Sequence, residues 1–268
     1  MADRAIGLLH PGEMGAAIGA ALRANGCRVG WSSAGRSDET RRRAEEAGLE
    51  DAGRIAELVR RSDVIVSVCP PHAAAEVARS VADFDGLYVD ANAVAPATAR
   101  GLAAALPGAE LVDGGIVGPP PHRPGTTRLY LSGPSAWTVA NLFAGSAVDA
   151  RVVSAEIGAA SALKVAYAAW SKGTAAMLLA IRELARAEGV EEPLLQEWCL
   201  SIPGLEEQWK SAERSARAKG WRWIGEMEEI AAAFTAAGLP DGFHLAAAEV
   251  FRGFSTEEAP EWRHAVRS

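Results

Sequence analysis

The chain has 268 residues, 49% of them hydrophobic and 23% charged, which is typical of a globular protein with one large domain or two smaller ones. The net charge of −7 argues against a nucleic-acid-binding surface, which needs an excess of lysine and arginine. Three scattered cysteines predict neither a disulfide framework nor a metal site, and no apolar run predicts a signal peptide or a membrane span. We therefore expect a cytoplasmic protein without nucleic-acid or membrane partners.

Up to residue 153, short apolar runs alternate with helical patterns. The predicted strands are Ala5–Leu9, Arg28–Trp31, Asp63–Cys69, Leu87–Asn92, Glu110–Gly115 and Arg128–Gly133. Alternation of this kind is typical of a mostly parallel sheet with helices on both faces. The sequence thus predicts an α/β domain over residues 1–153.

From residue 154 onward only helical patterns remain, so an all-α domain is predicted over residues 154–268. A long interdomain helix rich in Ala, Leu and Met opens this domain and is expected to stop at Gly189. The further predicted helices are Pro193–Ser201, Leu205–Ala218, Arg222–Ala237 and Asp241–Phe251, before a polar, loosely held tail at 255–268. Because the long helix is too apolar to be solvated on most sides, we expect a homodimer through the C-terminal helices.

The first strand leads into the turn HPGEMG at residues 10–15 and then into an Ala-rich helix. Gly12 allows the backbone to approach a pyrophosphate closely, and Gly15 allows the helix to pack tightly on the strand. His10 stands where such a turn usually has its first glycine; Pro11 should hold His10 extended, leaving Gly12 to supply any positive φ. We therefore predict a Rossmann-type dinucleotide site, with a plain strand–turn–helix as the alternative. Its predicted cofactor contacts are His10, Pro11, Gly12, Glu13 and Met14.

The residues after the second strand predict which nicotinamide cofactor is bound. An NAD enzyme usually places an acidic residue there to accept a hydrogen bond from the ribose 2′-hydroxyl. Here the residues before the first acid are hydroxyls and an arginine, namely Ser32, Ser33, Arg36 and Ser37. Such a set suits a 2′-phosphate through charge-assisted hydrogen bonds, so NADP(H) is predicted over NAD(H). The alternative is a solvated loop.

Lys164 is the one charge in the apolar segment GAASALKVAYAAW, residues 158–170. A lysine with apolar neighbours either reaches water or faces a cleft that holds a partner. Desolvation would lower its pKa towards neutrality, which suits proton transfer to a substrate. Lys164 is therefore a predicted catalytic residue, and Tyr167 and Ser171, which share its helix face, are predicted to contact the substrate.

Five motifs in the right order make the whole chain resemble the β-hydroxyacid dehydrogenase superfamily. It includes 6-phosphogluconate dehydrogenase, the 3-hydroxyisobutyrate dehydrogenases and the imine reductases. The chain is similar in particular to a branch whose C-terminal helical domain has no assigned function. The motifs are IGLLHPGEMG, SDVIVSVCPP, VDANAVAPAT, VDGGIVGPPP followed by GTTRLYLSG, and GAASALK. The resemblance implies further cofactor contacts at Cys69, Pro70, Pro71 and Asn92, a substrate loop at Val117, Gly118 and Pro119, and a catalytic Lys164.

Four positions beyond the glycine turn depart from the superfamily pattern and make an ordinary 3-hydroxyacid a doubtful substrate. Val117 replaces a serine, Pro119 a glycine, Ala168 an asparagine and Glu228 a lysine. The resemblance also implies that the second subunit's C-terminal domain closes the cleft, with Trp221 and His244 as predicted pocket residues.

These observations predict an NADP(H)-dependent oxidoreductase that transfers a hydride to or from a small carbonyl or hydroxy compound. Lys164 would donate or accept the proton. An NADPH-dependent imine reductase and a non-catalytic NADP-binding protein stay open as alternatives.

Overall fold

A computed structural model of the chain describes residues 4–255. The predicted polar tail lies outside the described residues, apart from Ser255. The chain divides into two compact units, Met1–Lys164 and Val165–Ser268. The domain boundary predicted at residue 153 stays a prediction.

The first unit is built on a sheet that has eight strands within the described residues. The strands are β1 Ala5–Leu9, β2 Arg28–Trp31, β3 Glu50–Asp51, β4 Val64–Ser67, β5 Leu87–Asp90, β6 Glu110–Val117, β7 Thr127–Ser132 and β8 Val148–Ser154. Their order is β3-β2-β1-β4-β5-β6-β7-β8, and every neighbouring pair in this sheet is parallel except β6 with β7. The predicted α/β fold class is confirmed.

Helices cover both faces of this sheet. They are α1 Glu13–Ala24, α2 Asp38–Glu46, α3 Ile55–Arg60, α4 Ala74–Arg79, α5 Pro96–Gly101 and α6 Ala136–Leu142. Successive side chains of a strand point to opposite faces, so Leu8 and Val66 belong to one buried cluster and Leu9 and Ile65 to the other. Strands buried on both faces read as continuous apolar runs, which is why most of them could be predicted.

The sequence did not predict β3 and β8. β3 has two residues, Glu50 and Asp51, both charged and exposed, so it carries no apolar signal. In β8 only Val148 is fully buried, and Arg151 and Val153 are exposed. A half-exposed edge strand with two acidic or basic residues lacks the run of Val and Ile that marks the central strands.

The second unit is helical. Its elements are the continuation of α7 Ala159–Ala187, α8 Glu191–Ser201, α9 Leu205–Ala236 and α10 Gly242–Ser255. Its core brings together Ala168, Met227, Ile230 and Phe251 from α7, α9 and α10. The predicted break between residues 218 and 222 is wrong, because α9 continues through the buried Gly220. One interior glycine costs only about 1 kcal/mol, which the packing of a long helix offsets. Among residues 4–255, no helix is long and apolar enough to cross a membrane.

Candidate functional site

The carboxyl ends of the parallel strands in the first unit define a crevice. β1 lies between β2 and β4, so the chain leaves β1 towards one side of the sheet and returns for β4 on the other. Ligands of open α/β sheets bind at such a switch point, outside the carboxyl ends of the strands. The loops after β1, β2, β4 and β5 bring His10, Arg36, Cys69 and Asn92 to this edge.

The path of the turn after β1 depends on the backbone conformation of His10. Its φ is 65°, and it is the one non-glycine residue with a positive φ in the described part of the chain. The carbonyl oxygen of His10 accepts the N–H of Gly12 at 2.8 Å, and Gly12 itself has an ordinary φ of −69°. The expectation of an extended His10 with any positive φ at Gly12 is therefore wrong. The tight turn needs the positive φ at its first position, which His10 supplies at a cost in strain.

The N-terminus of α1 is open. Its N-cap residue, Gly12, has no side chain and therefore makes no side-chain capping hydrogen bond. A Cβ added at Gly12 would meet nothing within 4 Å, whereas one at Gly15 would lie 2.4 Å from the His10 carbonyl oxygen. The missing side chain at Gly15 thus allows α1 to pack against the His10 carbonyl, and the missing side chain at Gly12 leaves space at the N-terminus of the helix. Of the other predicted contacts, Pro11 is buried, Met14 half-buried and Glu13 exposed.

Arg36 lies close enough to His10 and to Cys69 to influence both electrostatically. Burial, and secondly the Arg36 charge, lower the pKa of His10 to about 4, and the buried His10 Nδ1 atom has no hydrogen-bond partner within the described structure. Burial also lowers the pKa of Arg36, and burial raises the pKa of the Cys69 thiol to about 12. At neutral pH the cluster therefore consists of a neutral imidazole, a protonated thiol and one guanidinium cation. No ion pair to Arg36 occurs among the described residues.

The three predicted serine contacts serve the protein's own loops. Ser32 Oγ donates to the Gly53 carbonyl at 2.9 Å, and the Ser33 side chain hydrogen-bonds with Asp51 at the end of β3. Ser37 caps α2, because its Oγ accepts the Thr40 N–H at 3.3 Å. Arg36 is thus the member of the predicted set whose polar group is not used in the local structure.

Asn92 holds the loop after β4 in place. It is 2% exposed, and its Oδ1 accepts the Cys69 N–H at 2.5 Å. Its Nδ2 donates to Ser67 Oγ at 3.1 Å and also to Asp90. Asn92 therefore ties the end of β5 to the end of β4. The half-buried Pro70 and Pro71 follow Cys69 in this loop.

Lys164 lies in the second turn of α7, against β6. A Cβ added at Gly115 would lie 2.8 Å from the Lys164 Cβ and 2.9 Å from the Ala160 carbonyl oxygen. Asp90, the last residue of β5, pairs with Asp113, so Gly115 lies two residues beyond the end of β5. The missing side chain at Gly115 thus admits the stem of Lys164 at the carboxyl edge of the sheet, where Lys164 is half-buried.

A buried carboxylate caps the start of α7. Asp113 is 0% exposed, and its Oδ2 accepts the N–H groups of Gly158 at 2.9 Å and Ser161 at 3.0 Å. The Ser161 hydroxyl donates to Asp113 Oδ1 at 2.5 Å, and the Ser132 hydroxyl donates to Asp113 Oδ2 at 2.8 Å. Ser132 Oγ in turn accepts the Ala160 N–H at 3.0 Å. The sequence prediction missed Asp113; an acid within an otherwise apolar strand was the available signal.

The residues of the predicted substrate loop follow β6. Val117 is 2% exposed and pairs with Arg128 in the antiparallel β6–β7 ladder. Gly118 and Pro119 are exposed, and the Pro119 carbonyl accepts the Thr127 hydroxyl at 2.5 Å. The buried Val117 side chain belongs to the core of the sheet, and the substrate roles of the loop stay predictions.

The remaining predicted substrate residues lie in the second unit. Tyr167, Ser171 and Trp221 are exposed. His244 is 5% exposed and packs against Phe234, with ring centroids 4.2 Å apart. Burial lowers the pKa of His244, and its Nδ1 has no hydrogen-bond partner among the residues described. Their contact with a substrate stays a prediction.

Comparison with known proteins finds two family matches. Residues 5–94 match the family described as NADP oxidoreductase, coenzyme F420-dependent, and residues 185–254 match a domain of unknown function, DUF1932. An uncharacterized 28.5 kDa protein in the 7S RNA 5′ region of Methanothermus fervidus is 28% identical over 163 residues. That alignment spans 60% of this chain and 63% of the relative, which is less than two thirds of its length.

Solved structures align with nearly the whole chain. A conserved protein of unknown function, reported as structurally similar to 3-hydroxyacid dehydrogenases, is 25% identical with a TM-score of 0.68, covering 98% of this chain and 99% of that one. The 3-hydroxyisobutyrate dehydrogenase of Salmonella typhimurium has a TM-score of 0.70 at 17% identity, covering 99% of both chains. A reductive aminase from Aspergillus terreus, in complex with NADPH, cyclohexanone and allyl amine, has a TM-score of 0.59 at 18% identity, covering 99% of both chains.

In fold, the chain resembles a 3-hydroxyisobutyrate dehydrogenase and a protein that is itself reported as structurally similar to 3-hydroxyacid dehydrogenases. The resemblance predicted from the five motifs is thus confirmed, as is the fold with a Rossmann-type N-terminal part and a helical C-terminal part. The family match over residues 5–94 supports an oxidoreductase of the NADP type.

Proposed function

We propose that the chain is an NADP(H)-dependent oxidoreductase that transfers a hydride between the nicotinamide and a small carbonyl or hydroxy compound. One observation carries the cofactor choice. Arg36 is a half-buried cation beside His10 and the open turn before α1, and it has no carboxylate partner in the described part of the chain. A partly desolvated guanidinium favours an anion that can accept charge-assisted hydrogen bonds, and the 2′-phosphate is the anion that distinguishes NADP(H) from NAD(H).

The residues at the carboxyl edge fit a dinucleotide. The uncapped start of α1 at Gly12 would hold the pyrophosphate, because helix N-termini favour anions and no side chain intervenes. Arg36 would hold the 2′-phosphate, and the loop of Cys69 would line the cofactor in the position that Asn92 fixes. When bound, the cofactor supplies the hydride chemistry.

Lys164 is the proposed proton donor and acceptor. Its stem lies against Gly115, at the same edge of the sheet as the cofactor residues. As an ammonium, its Nζ would give a proton to the oxygen of a carbonyl substrate; in the reverse direction the amine would take the hydroxyl proton. The protein would thus provide the proton, the orientation and the anion contacts.

Binding of both cofactors to wild type and to Arg36→Gln tests the proposal by calorimetry. We expect NADPH to bind wild type at least tenfold more tightly than NADH, and Arg36→Gln to weaken NADPH by about 10- to 100-fold, the value of a charge-assisted hydrogen bond. NADH binding should change little. Arg79→Gln, an exposed arginine on α4, is the matched control. Equal affinity of wild type for the two cofactors would contradict the proposal.

We also propose that two copies associate through the C-terminal helices. Trp170, Met177 and Leu184 recur every seven residues along α7 and are 74%, 45% and 62% exposed in the single chain. An apolar stripe with heptad spacing is suited to packing against another helix. Sedimentation should give a dimer for wild type and a monomer for the double variant Trp170→Glu, Leu184→Glu. The control Trp137→Glu, on α6, should stay dimeric; a monomeric wild type would contradict the proposal.

A further inference from the structure

Side chains of the sheet bind the backbone N–H groups at the start of α7. The N–H groups of Gly158, Ala160 and Ser161 are bound by side chains of β6 and β7, and the Ala159 N–H donates to the Glu156 carbonyl at 3.3 Å. The donors that a helix leaves unsatisfied at its first turn are therefore all bound. One fully buried charge, Asp113, takes two of them together with two hydroxyls.

We infer that Asp113 is a positioning residue, which clamps the start of α7 to β6 and thereby fixes the stem of Lys164 at the carboxyl edge of the sheet. Residues two apart on a strand point to the same face, so Asp113 and Gly115 both face α7, about 7 Å apart along β6. The clamp at Asp113 and the close contact of Lys164 with Gly115 are thus adjacent on one surface. The contribution to catalysis rests on the function proposed above, whereas the positioning itself does not.

The inference also predicts an electrostatic effect on Lys164. The Asp113 carboxylate offsets the partial positive charge of the helix N-terminus, near which the lysine ammonium would otherwise lie. Asp113→Asn keeps the shape and allows one oxygen to accept the backbone N–H groups, while Ser161 Oγ can turn to accept from the new amide. This variant therefore removes the charge with the least change in geometry.

Competitive acetylation of the amino groups across a pH series, read by mass spectrometry of peptides, tests the inference without relying on turnover. In Asp113→Asn we expect the labelling midpoint of Lys164 to fall by at least about 0.3 pH unit, because removing an opposite charge disfavours the ammonium. Labelling of Lys210 and Lys219, both on α9, should not move. For any substrate that wild type turns over, the pH–rate profile of Asp113→Asn should be displaced from that of wild type in the same direction.

Gly115→Ala is the second arm, with Asp113 intact. Its Cβ would push against the Lys164 Cβ, so we expect the Lys164 labelling rate to change at least threefold while NADPH affinity and the labelling of Lys210 stay constant. This arm tests the Gly115 contact; if Asp113→Asn does not fold, Ser161→Ala, which removes one hydroxyl donor to Asp113 and leaves the carboxylate in place, tests the clamp by the same labelling of Lys164. A folded Asp113→Asn protein with an unmoved Lys164 midpoint, or an unaltered Lys164 in Gly115→Ala, would overturn the inference. Absence of turnover in wild type would contradict the proposed function alone.

Discussion

Two of the helices that start in the first unit, α1 and α7, have N-termini that are built in opposite ways. At α1 the N-cap is Gly12, which offers no capping side chain, and a Cβ added there would meet open space. At α7 the first turn is closed by the buried Asp113 and by Ser132. An N-terminus that receives its anion from the protein fixes a helix, whereas an open one can receive the anion of a ligand. The dipole of α7 thus stabilises the structure, and the dipole of α1, in our proposal, binds the ligand.

In our proposal the closed end positions the catalytic Lys164, so the largest expected effect is on turnover. Lys164→Ala should lower kcat by about 10²- to 10⁴-fold, the range for loss of general acid–base catalysis. Affinity for NADPH, measured by calorimetry, should stay within twofold, because the proposed anion contacts are at α1 and Arg36. Lys219→Ala, an exposed lysine on α9, is the control and should retain full activity. Retained turnover in Lys164→Ala would mean that another group moves the proton.

Removing the internal anion should mainly affect stability. Asp113→Ala leaves the Gly158 and Ser161 N–H groups buried without an acceptor, and each such group costs about 1–3 kcal/mol. We expect the free energy of unfolding in urea to fall by about 3 kcal/mol. Ser132→Ala, which frees the Ala160 N–H and removes one of the two hydroxyls that donate to Asp113, should cost less than half as much. Equal losses in the two variants would show that the Asp113 charge is not the main part of the clamp.

A carboxylate at the N-cap of α1, like the one at α7, should raise stability and lower the affinity for NADPH. Gly12→Asp places a carboxylate at the N-cap, where the backbone is extended and the added Cβ meets open space. Stability should rise by a few tenths of a kcal/mol, whereas NADPH affinity should fall by about one to two orders of magnitude through repulsion of the phosphates. Gly12→Asn, a neutral cap of the same shape, should lose much less affinity. Unchanged binding in Gly12→Asp would place the phosphates elsewhere.

The comparison also shows which features a sequence can reveal. The turn HPGEMG and the central strands were predictable because each depends on neighbouring residues: the glycine spacing, and runs such as Val64–Ser67 that are buried on both faces. The Asp113 clamp was not, since its partners Gly158 and Ser161 lie 45 and 48 residues further along the chain. No local pattern records a bond over that separation.

The predicted cofactor set shows the same limit at shorter range. Arg36 and the hydroxyls around it were chosen by type, but type does not tell which groups the protein uses itself. Ser32 bonds to Gly53, and Ser37 caps α2, so both serve the fold. Only the structure separates these serines from Arg36, because the competing partners come from the turn after β3 and from the next helix.

The smallest expected effect concerns the turn that opens α1. At a φ of 65°, His10 is strained, so His10→Gly should raise the free energy of unfolding by about 1 kcal/mol relative to His10→Ala, which keeps the strain. The folded-state pKa of His10 is about 4, below the ordinary value of 6.5. Between these values the unfolded chain binds a proton that the folded chain does not, so stability falls as the pH drops from 6.5 towards 4.

His10→Asn separates the two effects. Asparagine tolerates a positive φ but does not titrate, so the variant should keep the turn and lose the part of the pH dependence that His10 contributes. His244, whose pKa burial also lowers, is present in both proteins and cancels in the comparison. Urea unfolding at pH 7 and pH 5 measures the difference. Parallel losses of stability in wild type and His10→Asn would show that the imidazole is not held neutral. In the turn before α1, His10 Nδ1 has no hydrogen-bond partner in the described structure and Gly12 offers no capping side chain. At the start of α7, by contrast, each N–H group of the first turn has an acceptor.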